Sequence, residues 1–347
     1  MSQQITTRLA KLVDIPEIID LMVSQEQRLH ALDPRLRIAR SREQVAAVLE
    51  QQYRRGERPL VALTKQGQMK GYVQPSLWRL PLESELLAFF TSTNGVASSL
   101  ILPDPSEADA YAIMSAFLVA LTNYWQEQRT TSDIVRWPSC DLWLEPLLEE
   151  HGFVLDSDLA YHPLQPLLPA RRPISPLVQT RLARPEDEKV LVELFEEELR
   201  FHQPHTPFVH ITPSITSAFR SRLARLWAGE TLEDGAVQVI VVEQENKVVA
   251  MAETDLFPIK IDEDTTPLPI GCYGHLNNVS VQKDMRGQGV GHTLVQAVFK
   301  NFARVPLDGY LLWFNPGNPL ARSFWSRLGF LPVWRTYQRP AQREEKS

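Results

Sequence analysis

The sequence predicts an α/β protein built from two similar domains in tandem. Three observations support this prediction: a length of 347 residues, a proline-dense segment near the middle, and a similar order of strand and helix patterns on each side of it. At roughly 150 residues per domain, this length corresponds to about two domains. Each half is long enough to bury a core of its own.

The two halves begin and end alike. TRLAKLVD near the start and TRLARPED after the middle each precede an amphipathic helix pattern. Arg8 and Asp14 match Arg181 and Asp187 at one constant offset. LLEEHGF closes the first half and WSRLGF the second. The constant offset predicts an internal duplication.

The segment YHPLQPLLPARRPISPLVQT lies between the halves. Its prolines favour an extended, semi-rigid connection and disfavour a helix or a central strand. The predicted boundaries are therefore a first domain at residues 1–162, a linker at 163–176, a second domain at 177–340 and a polar tail at 341–347.

The elements of the second half follow one another clearly. QTRLA is strand-like and is followed by two helix patterns, and AVQVIVV and KVVAMAETDL then form a hairpin. In YGHLNNVSV, simple alternation predicts that Tyr273, His275, Asn277, Val279 and Val281 share one side of a strand. A glycine-rich segment, a helix, the buried strand YLLWFN, the short helix PLARSFWSRLG and the strand LPVWRTYQ complete the domain.

The glycine-rich segment, DMRGQGVGHTLVQAVF, carries three glycines directly before a helix. Glycines between a strand and a helix N-terminus let the backbone approach a ligand and direct several N–H groups at an anion. The spacing is wrong for a dinucleotide fingerprint, and no Gly-Lys-Ser/Thr follows as in a Walker loop. The segment favours phosphate binding, and a tight turn that needs glycine only for its geometry is the alternative.

Several motifs in this half occur together in a defined order. They are Val279-Ser280-Val281, Arg286-x-x-Gly289-x-Gly291, Asn315 at a strand end, and Leu328-Gly329-Phe330. In this order they resemble the GNAT family of acyl-CoA-dependent N-acyltransferases, over about residues 176–339. The resemblance implies two GNAT-like domains, each a mixed, largely antiparallel twisted sheet flanked by helices. It also implies an acyl-CoA co-substrate, with acetyl-CoA as the default because nothing in the sequence argues for a longer acyl chain. The fold and the motifs do not choose the acceptor, and we expect a small-molecule amine rather than a protein N-terminus or lysine. An acyl-CoA-binding sensor or scaffold without turnover is the alternative.

The resemblance implies a cofactor site. Amides of the glycine turn would hold the pyrophosphate of coenzyme A, Arg286 would orient the turn, and the backbone of two valines would pair with the pantetheine arm. The predicted cofactor-binding residues are Val279, Val281, Arg286, Gly287, Gln288, Gly289, Val290, Gly291, His292, Asn315 and Trp325.

The implied reaction needs a base, because a neutral amine attacks the thioester and must lose a proton. His275 is the first candidate, since the family often places a base on this strand and histidine titrates near neutral pH. A hydrogen-bonded interior histidine is its alternative. Glu253 is the second candidate, with an exposed strand carboxylate as the commoner interpretation.

The acid that protonates the departing thiolate is harder to assign. Many members of the GNAT family carry a tyrosine four residues before the Gly-Phe pair. This sequence has Trp325 at that position, and an indole N–H is no useful acid. Tyr337 or Tyr310 could substitute, although packing is the commoner role of a tyrosine in such strands.

The acceptor segment reads FHQPHTPFVHITP. Its histidines at 202, 205 and 210 lie in proline-interrupted loop spacing, so no metal is expected. The nearby Glu193, Glu196, Glu197 and Glu198 could attract a cationic amine, and a solvated helix face explains them equally well.

The first half lacks the glycine turn. Asp104, Glu107 and Asp109 stand where a pyrophosphate would lie, so this half is not expected to bind acyl-CoA. We expect a degenerate repeat that packs against its partner, covers the active cleft or helps to shape the acceptor pocket, and a pure folding support is the alternative.

Net charge, apolar runs and cysteine spacing argue against several other classes of protein. A net charge of −6 gives no general attraction to nucleic acid or to an anionic membrane. The first residues lack a secretory signal pattern, and no apolar run is long enough to span a bilayer, so a cytoplasmic location is expected. Cys140 and Cys272 have no companion at metal-ligand or redox spacing. The oligomeric state is left open.

Overall fold

A computed structural model describes residues 5–167, 178–229, 237–260 and 267–341. The strands of the first half are β1 (Thr6–Leu9), β2 (Leu60–Leu63), β3 (Met69–Arg79), β4 (Thr93–Ile101), β5 (Ser132–Pro138) and β6 (Val154–His162). Its helices are α1 (Ile15–Leu32), α2 (Arg42–Arg54), α3 (Ala110–Glu127) and α4 (Glu145–Glu150).

The second half repeats this order. Its strands are β7 (Val178–Leu182), β8 (Gln238–Gln244), β9 (Lys247–Ile259), β10 (Gly271–Val281), β11 (Gly309–Phe314) and β12 (Leu331–Pro340). Its helices are α5 (Glu188–His202), α6 (Pro213–Trp227), α7 (Val290–Phe302) and α8 (Pro319–Leu328). Among the described residues, no helix is long and apolar enough to cross a membrane.

All these strands join one sheet, in the order β1-β2-β3-β4-β5-β12-β6-β11-β10-β9-β8-β7. Most neighbours are antiparallel, and each half has one parallel pair, β4 with β5 and β10 with β11. The predicted fold class, a mixed and largely antiparallel sheet with helices in each half, is confirmed.

The last strand of each half lies in the other half. β12 pairs with β5, and β6 pairs with β11, so the two exchanged strands meet at the centre of the sheet. Arg339 of β12 therefore lies in the first core, where it forms a buried ion pair with Asp133 (2.9 Å) and stacks over Phe153 (4.4 Å). The domain boundaries predicted from the sequence stay a prediction; residues 168–177 and 342–347 lie outside the described part of the chain.

The repeated arginine and aspartate have the same contacts in both halves. Arg8 binds both oxygens of Asp14 at 2.6 and 3.0 Å, and Arg181 binds Asp187 at the same two distances. Each aspartate also accepts the backbone N–H three residues before it, at 2.7 and 2.8 Å. The duplicated motif therefore fixes the start of the first helix against the first strand of each half.

Helices cover both faces of the sheet. α7 and α8 pack on one face of the second half, and α5 and α6 pack on the other, where alternate residues of β8 point. The first half has the same two layers, with α3 and α4 on one face and α1 and α2 on the other. A further apolar cluster joins the halves through Leu29, Leu36, Tyr273, Leu311 and Val333.

A β-bulge in β10 separates residues that simple alternation places together. The register with β9 shifts between Leu276 and Val279, which adds one residue to β10. Beyond the bulge, Val279 and Val281 pack toward α7 with Leu276, whereas Tyr273 and the ring of His275 lie in the aromatic cluster on the opposite face. The prediction of one shared face was wrong, because an extra residue reverses the alternation.

Candidate active site

A cleft opens where β10 and β11 diverge. Their parallel pairing runs from Tyr273/Gly309 to Leu276/Leu312 and ends there. A cavity of about 800 Å³ lies at this point, lined by the rest of β10, the end of β11, the first turn of α7, α8 and the end of α5. The diverging strands therefore expose backbone edges to the cavity, which an extended ligand can use as an added strand would.

The glycine turn forms one end of the cavity. Glycine is favoured at its three positions for two different structural reasons. Gly287 (φ 74°) and Gly289 (φ 86°) are left-handed, a conformation that glycine adopts readily. At Gly291, a Cβ atom would meet the ring of Phe324 at 3.1 Å. Gly289 is the N-cap of α7, so the N–H groups of the first turn, which have no intrahelical acceptors, lie at the cavity.

Arg286 holds this turn against β10. Its Nε donates to the carbonyl of Val281 (2.9 Å), and its guanidinium pairs with Glu197 (3.1 Å) and covers the ring of Phe201 (4.2 Å). The expected orienting role of Arg286 thus has a geometric basis.

The structure brings most of the predicted cofactor residues together. Those that line the cavity are Val279, Val281, Arg286, Gly287, Gly289, Gly291, His292 and Trp325. Three others do not line it. Gln288 donates to the carbonyl of Asp284 (2.6 Å), Val290 is buried in the core, and Asn315 donates to the carbonyl of Asp156 on β6 (2.6 Å).

His275 lies beside the cavity rather than in its wall. Its Nδ1 is 2.8 Å from Oδ1 of Asp255, and its ring meets that of Trp313 edge-on at 5.2 Å. Trp313 lines the cavity, and His275 is not among the described lining residues.

Glu253 is 1% exposed, so its interpretation as an exposed carboxylate was wrong. One oxygen pairs with Arg222 (2.5 Å) and the other accepts from Asn278 (2.5 Å). Burial raises the pKa of Glu253, and Arg222 opposes that rise. Both oxygens are therefore engaged by neighbouring side chains.

The two tyrosines lie away from the cavity. Tyr337 lies in the first core, because β12 crosses into that half. Tyr310 stacks on Phe299, with ring centroids 3.8 Å apart. Trp325 lines the cavity and packs edge-on against Phe330. No tyrosine is among the described lining residues, so the geometry assigns no acid to the thiolate.

Glu198 was expected only as one of four glutamates near the acceptor segment, and its place in the cavity wall was not predicted. It lines the cavity from α5, and burial raises its pKa to about 8 although the N–H of Val279 donates to it. Its Oε2 has no hydrogen-bond partner in the described structure. The signal was present: Glu198 follows Leu194 and Phe195 at helical spacing on the apolar face, so it could not belong to a solvated face.

His202 lies one turn further along α5 and also lines the cavity. Burial lowers the pKa of His202 to about 4, which keeps the imidazole neutral. The described residues contain no group of three or more side chains placed to hold a metal ion.

Residues 235–332, which contain the diverging strands and the glycine turn, match the family model of the acetyltransferase (GNAT) domain. The second half of the chain contains a GNAT domain. No curated protein matches the chain in sequence.

Solved structures share the fold of the whole chain. A GCN5-related N-acetyltransferase from Sphaerobacter thermophilus is 15% identical, with 98% of this chain and 96% of that chain covered and a TM-score of 0.54. A GCN5-related glucosamine N-acetyltransferase region of a fungal multi-domain β-N-acetylglucosaminidase is 14% identical, with a TM-score of 0.51. That match covers 97% of this chain and 38% of the other. At such identities the likeness shows the fold alone, and that shared fold spans both halves of the chain.

Proposed function

We propose that the second half transfers the acetyl group of acetyl-CoA to a primary amine of a small molecule, by direct attack in a ternary complex. The main support for this proposal is that two structural features border the same cavity. The strands β10 and β11 open an unpaired edge, and the left-handed glycine turn directs helix N–H groups at the same space.

The described residues fit coenzyme A. The first-turn amides of α7 suit the pyrophosphate, which Arg286 supports by holding the turn in place. The edge at Val279 and Val281 suits the amide groups of pantetheine through the carbonyl of Val279 and the N–H of Val281, since Glu198 and Arg286 bind the other two backbone groups. The thioester would then lie near Leu276 and Leu312, where the strands separate. No metal is part of this proposal.

Glu198 is the base we propose, because its side chain lines the cavity and its Oε2 has no hydrogen-bond partner in the described structure. As the C–N bond forms and the C–S bond breaks, the attacking nitrogen loses its proton to Oε2, directly or through water. The thiolate departs with the coenzyme. His275, the candidate from the sequence, would need to act past Trp313.

The acceptor that we propose is a small cytoplasmic amine. The net charge of −6 argues against nucleic acid or an anionic membrane as partner. Trp325 at the position of the usual acid is the observation that favours the second candidate, an acyl-CoA sensor without turnover.

A thiol-release assay tests the proposal. The purified chain is incubated with acetyl-CoA and panels of polyamines, amino acids, amino sugars and peptides, and products are weighed by mass spectrometry. Release of coenzyme A with a 42-dalton mass gain on one amine class is expected, since acetyl replaces a proton. Saturable acetyl-CoA binding without release for any acceptor would support the sensor.

A further inference from the structure

The β-bulge of β10 lies where the cleft of the second half begins. Leu276 is the last residue of β10 that pairs with β11, and the two bulged residues, Asn277 and Asn278, follow it directly. Both stand opposite a single residue of β9, Glu253. A bulge bends its strand and increases the local twist. The bulge therefore bends β10 at the place where it leaves β11.

The side chain of Glu253 binds both bulged residues. The amides of Asn278 and Asn277 donate to its Oε2 at 2.5 and 3.3 Å. Its Oε1 lies 2.5 Å from Nε of Arg222 on α6. Glu253 is 1% exposed and Asn278 is 6% exposed, so water does not compete for these contacts. We call the set of Glu253, Asn277 and Asn278 the bulge clamp.

The bulge also sets the direction of the backbone groups that follow it. Side chains and backbone N–H groups alternate together along a strand, so an extra residue reverses both. Val279 and Val281 accordingly pack toward α7. The N–H of Val279 donates to Glu198. The carbonyl of Val281 accepts from Arg286. The bulge thus turns the backbone groups of both valines toward the cleft.

The first half has a bulge in the matching strand but no such clamp. Val73 of β3 stands opposite Ser99 and Leu100 of β4, where the register of the two strands shifts. A valine side chain binds no amide. Instead, Gln25 donates to the carbonyl of Leu100 (2.9 Å) and accepts the N–H of Leu102 (2.8 Å), and it lines a cavity of only about 90 Å³. A clamp on the neighbouring strand, as in the second half, leaves the cleft beside the bulge open.

We propose that Glu253 is a positioning residue for acyl transfer: through its two asparagine partners it holds the bulge that presents the edge of Val279 and Val281 to acyl-CoA. This inference rests on the proposed function of the second half. Glu253 acts from behind the cleft, since both of its oxygens are engaged and it is not among the described lining residues. A thioester misplaced by about 1 Å can cost about 100-fold in rate, so the position of this edge matters for turnover.

Coenzyme A binding, acetyl transfer and amide hydrogen exchange of the full chain test this proposal. Glu253→Met removes both acceptor oxygens and keeps the length of the side chain, and Asn278→Leu removes a donor at similar volume. The double variant completes a double-mutant cycle. Glu243→Gln is the control, because Glu243 pairs with Arg181 (2.9 Å) on the same sheet but is not among the described lining residues. All measurements are made well below the unfolding temperature, where a loss of stability alone does not change the affinity.

Coenzyme A affinity and kcat should each fall at least about tenfold in both single variants and stay within about threefold of the wild type in Glu243→Gln. The double variant should bind at most about threefold more weakly than the weaker single variant, because both changes break the same contact. Amide exchange at residues 277–281 should be at least about tenfold faster in both single variants and unchanged in Glu243→Gln.

Two results would overturn the proposal. One is unchanged coenzyme A affinity and unchanged amide exchange in Glu253→Met, or in Asn278→Leu if Glu253→Met fails to fold. The other is a double variant whose loss of affinity is the product of the two single losses, because the two residues then act independently. Failure of the proposed function is distinguishable, since the wild type would then lack turnover. The amide exchange, which needs no ligand, would still show whether Glu253 holds the bulge.

Discussion

The two clefts of this protein are made by the same elements and differ in what fills them. In each half a parallel strand pair diverges after four registered residues, next to the first helix of that half. The cavity is about 800 Å³ in the second half and about 90 Å³ in the first. The fold therefore supplies the opening twice, and side chains decide whether it stays open.

One helix position accounts for much of the difference. Gln25 and Glu198 are related by the offset that relates Arg8 to Arg181. The glutamine uses both its donor and its acceptor on the backbone of Leu100 and Leu102, at the end of β4, whereas Oε2 of the glutamate has no hydrogen-bond partner in the described structure. Both side chains accept a backbone N–H of the neighbouring strand or its end, and only the glutamine also donates to a backbone carbonyl there.

The turns before α3 and α7 differ in a related way. In the first half, Asp104 accepts the N–H of Ser106 (2.9 Å) and Glu107 pairs with Lys70 (2.6 Å), so side chains occupy this turn. In the second half, left-handed glycines replace them and keep the helix N–H groups accessible.

The largest predicted effect comes from the residue at this helix position in the second half. Glu198→Gln should lower kcat by about 100- to 10,000-fold while the acetyl-CoA affinity stays within a few-fold, because only the proton acceptor is lost. Since burial raises the pKa of Glu198 to about 8, wild-type turnover should rise with pH through about 8. Steady-state kinetics with one acceptor measure both.

His275→Ala is the variant to compare with Glu198→Gln. We expect it to lower kcat less than tenfold and to keep the increase of turnover with pH near pH 8. A rise that comes from the amine itself would persist in Glu198→Gln. If His275→Ala loses the rise and Glu198→Gln keeps it, the base is His275, as the sequence suggested.

The exchanged strands give the next largest effect. Arg339→Met leaves Asp133 buried without its partner in the first core, and we expect the free energy of unfolding to fall by about 3 to 5 kcal/mol. Chemical denaturation measures this loss. The control is Arg58→Met, at an exposed arginine of the same half, and its free energy of unfolding should stay within about 0.5 kcal/mol of the wild type. A similar small change in both variants would mean that β12 is not lodged in the first half.

The repeated ion pairs should give the smallest effect. Asp14→Asn should lower the free energy of unfolding by about 1 kcal/mol, and Asp187→Asn by about half as much, because Arg181 keeps Glu243 (2.9 Å). The arginine lowers the pKa of each aspartate, so this stability is present above the unfolded pKa and lost as pH falls through the folded one. The differences from wild type should therefore shrink as pH falls through the folded pKa of each aspartate.

Local patterns allowed much of the fold and the place of the glycine turn beside the cleft to be predicted. The Arg8/Arg181 repeat and the glycine turn both report on short stretches of chain. The strand exchange could not be predicted, because β6 and β12 have the same pattern whichever half they join. The sequence placed His275 on the same face as Val279 and Val281, and this was wrong. One extra residue in β10 lies between them, and the sequence pattern gives no sign of it. Glu198 was missed because the adjacent glutamates resemble a solvated face.

The central claim is that the glycine turn of the second half binds acetyl-CoA, once per chain. Calorimetric titration of the wild type, Gly289→Val and Gly67→Val tests it directly, because both glycines are left-handed and Gly67 lies in the first half. We predict one site in the wild type and in Gly67→Val, and at least about 100-fold weaker binding in folded Gly289→Val. Unchanged affinity in Gly289→Val, or a second site of similar affinity, would contradict the account.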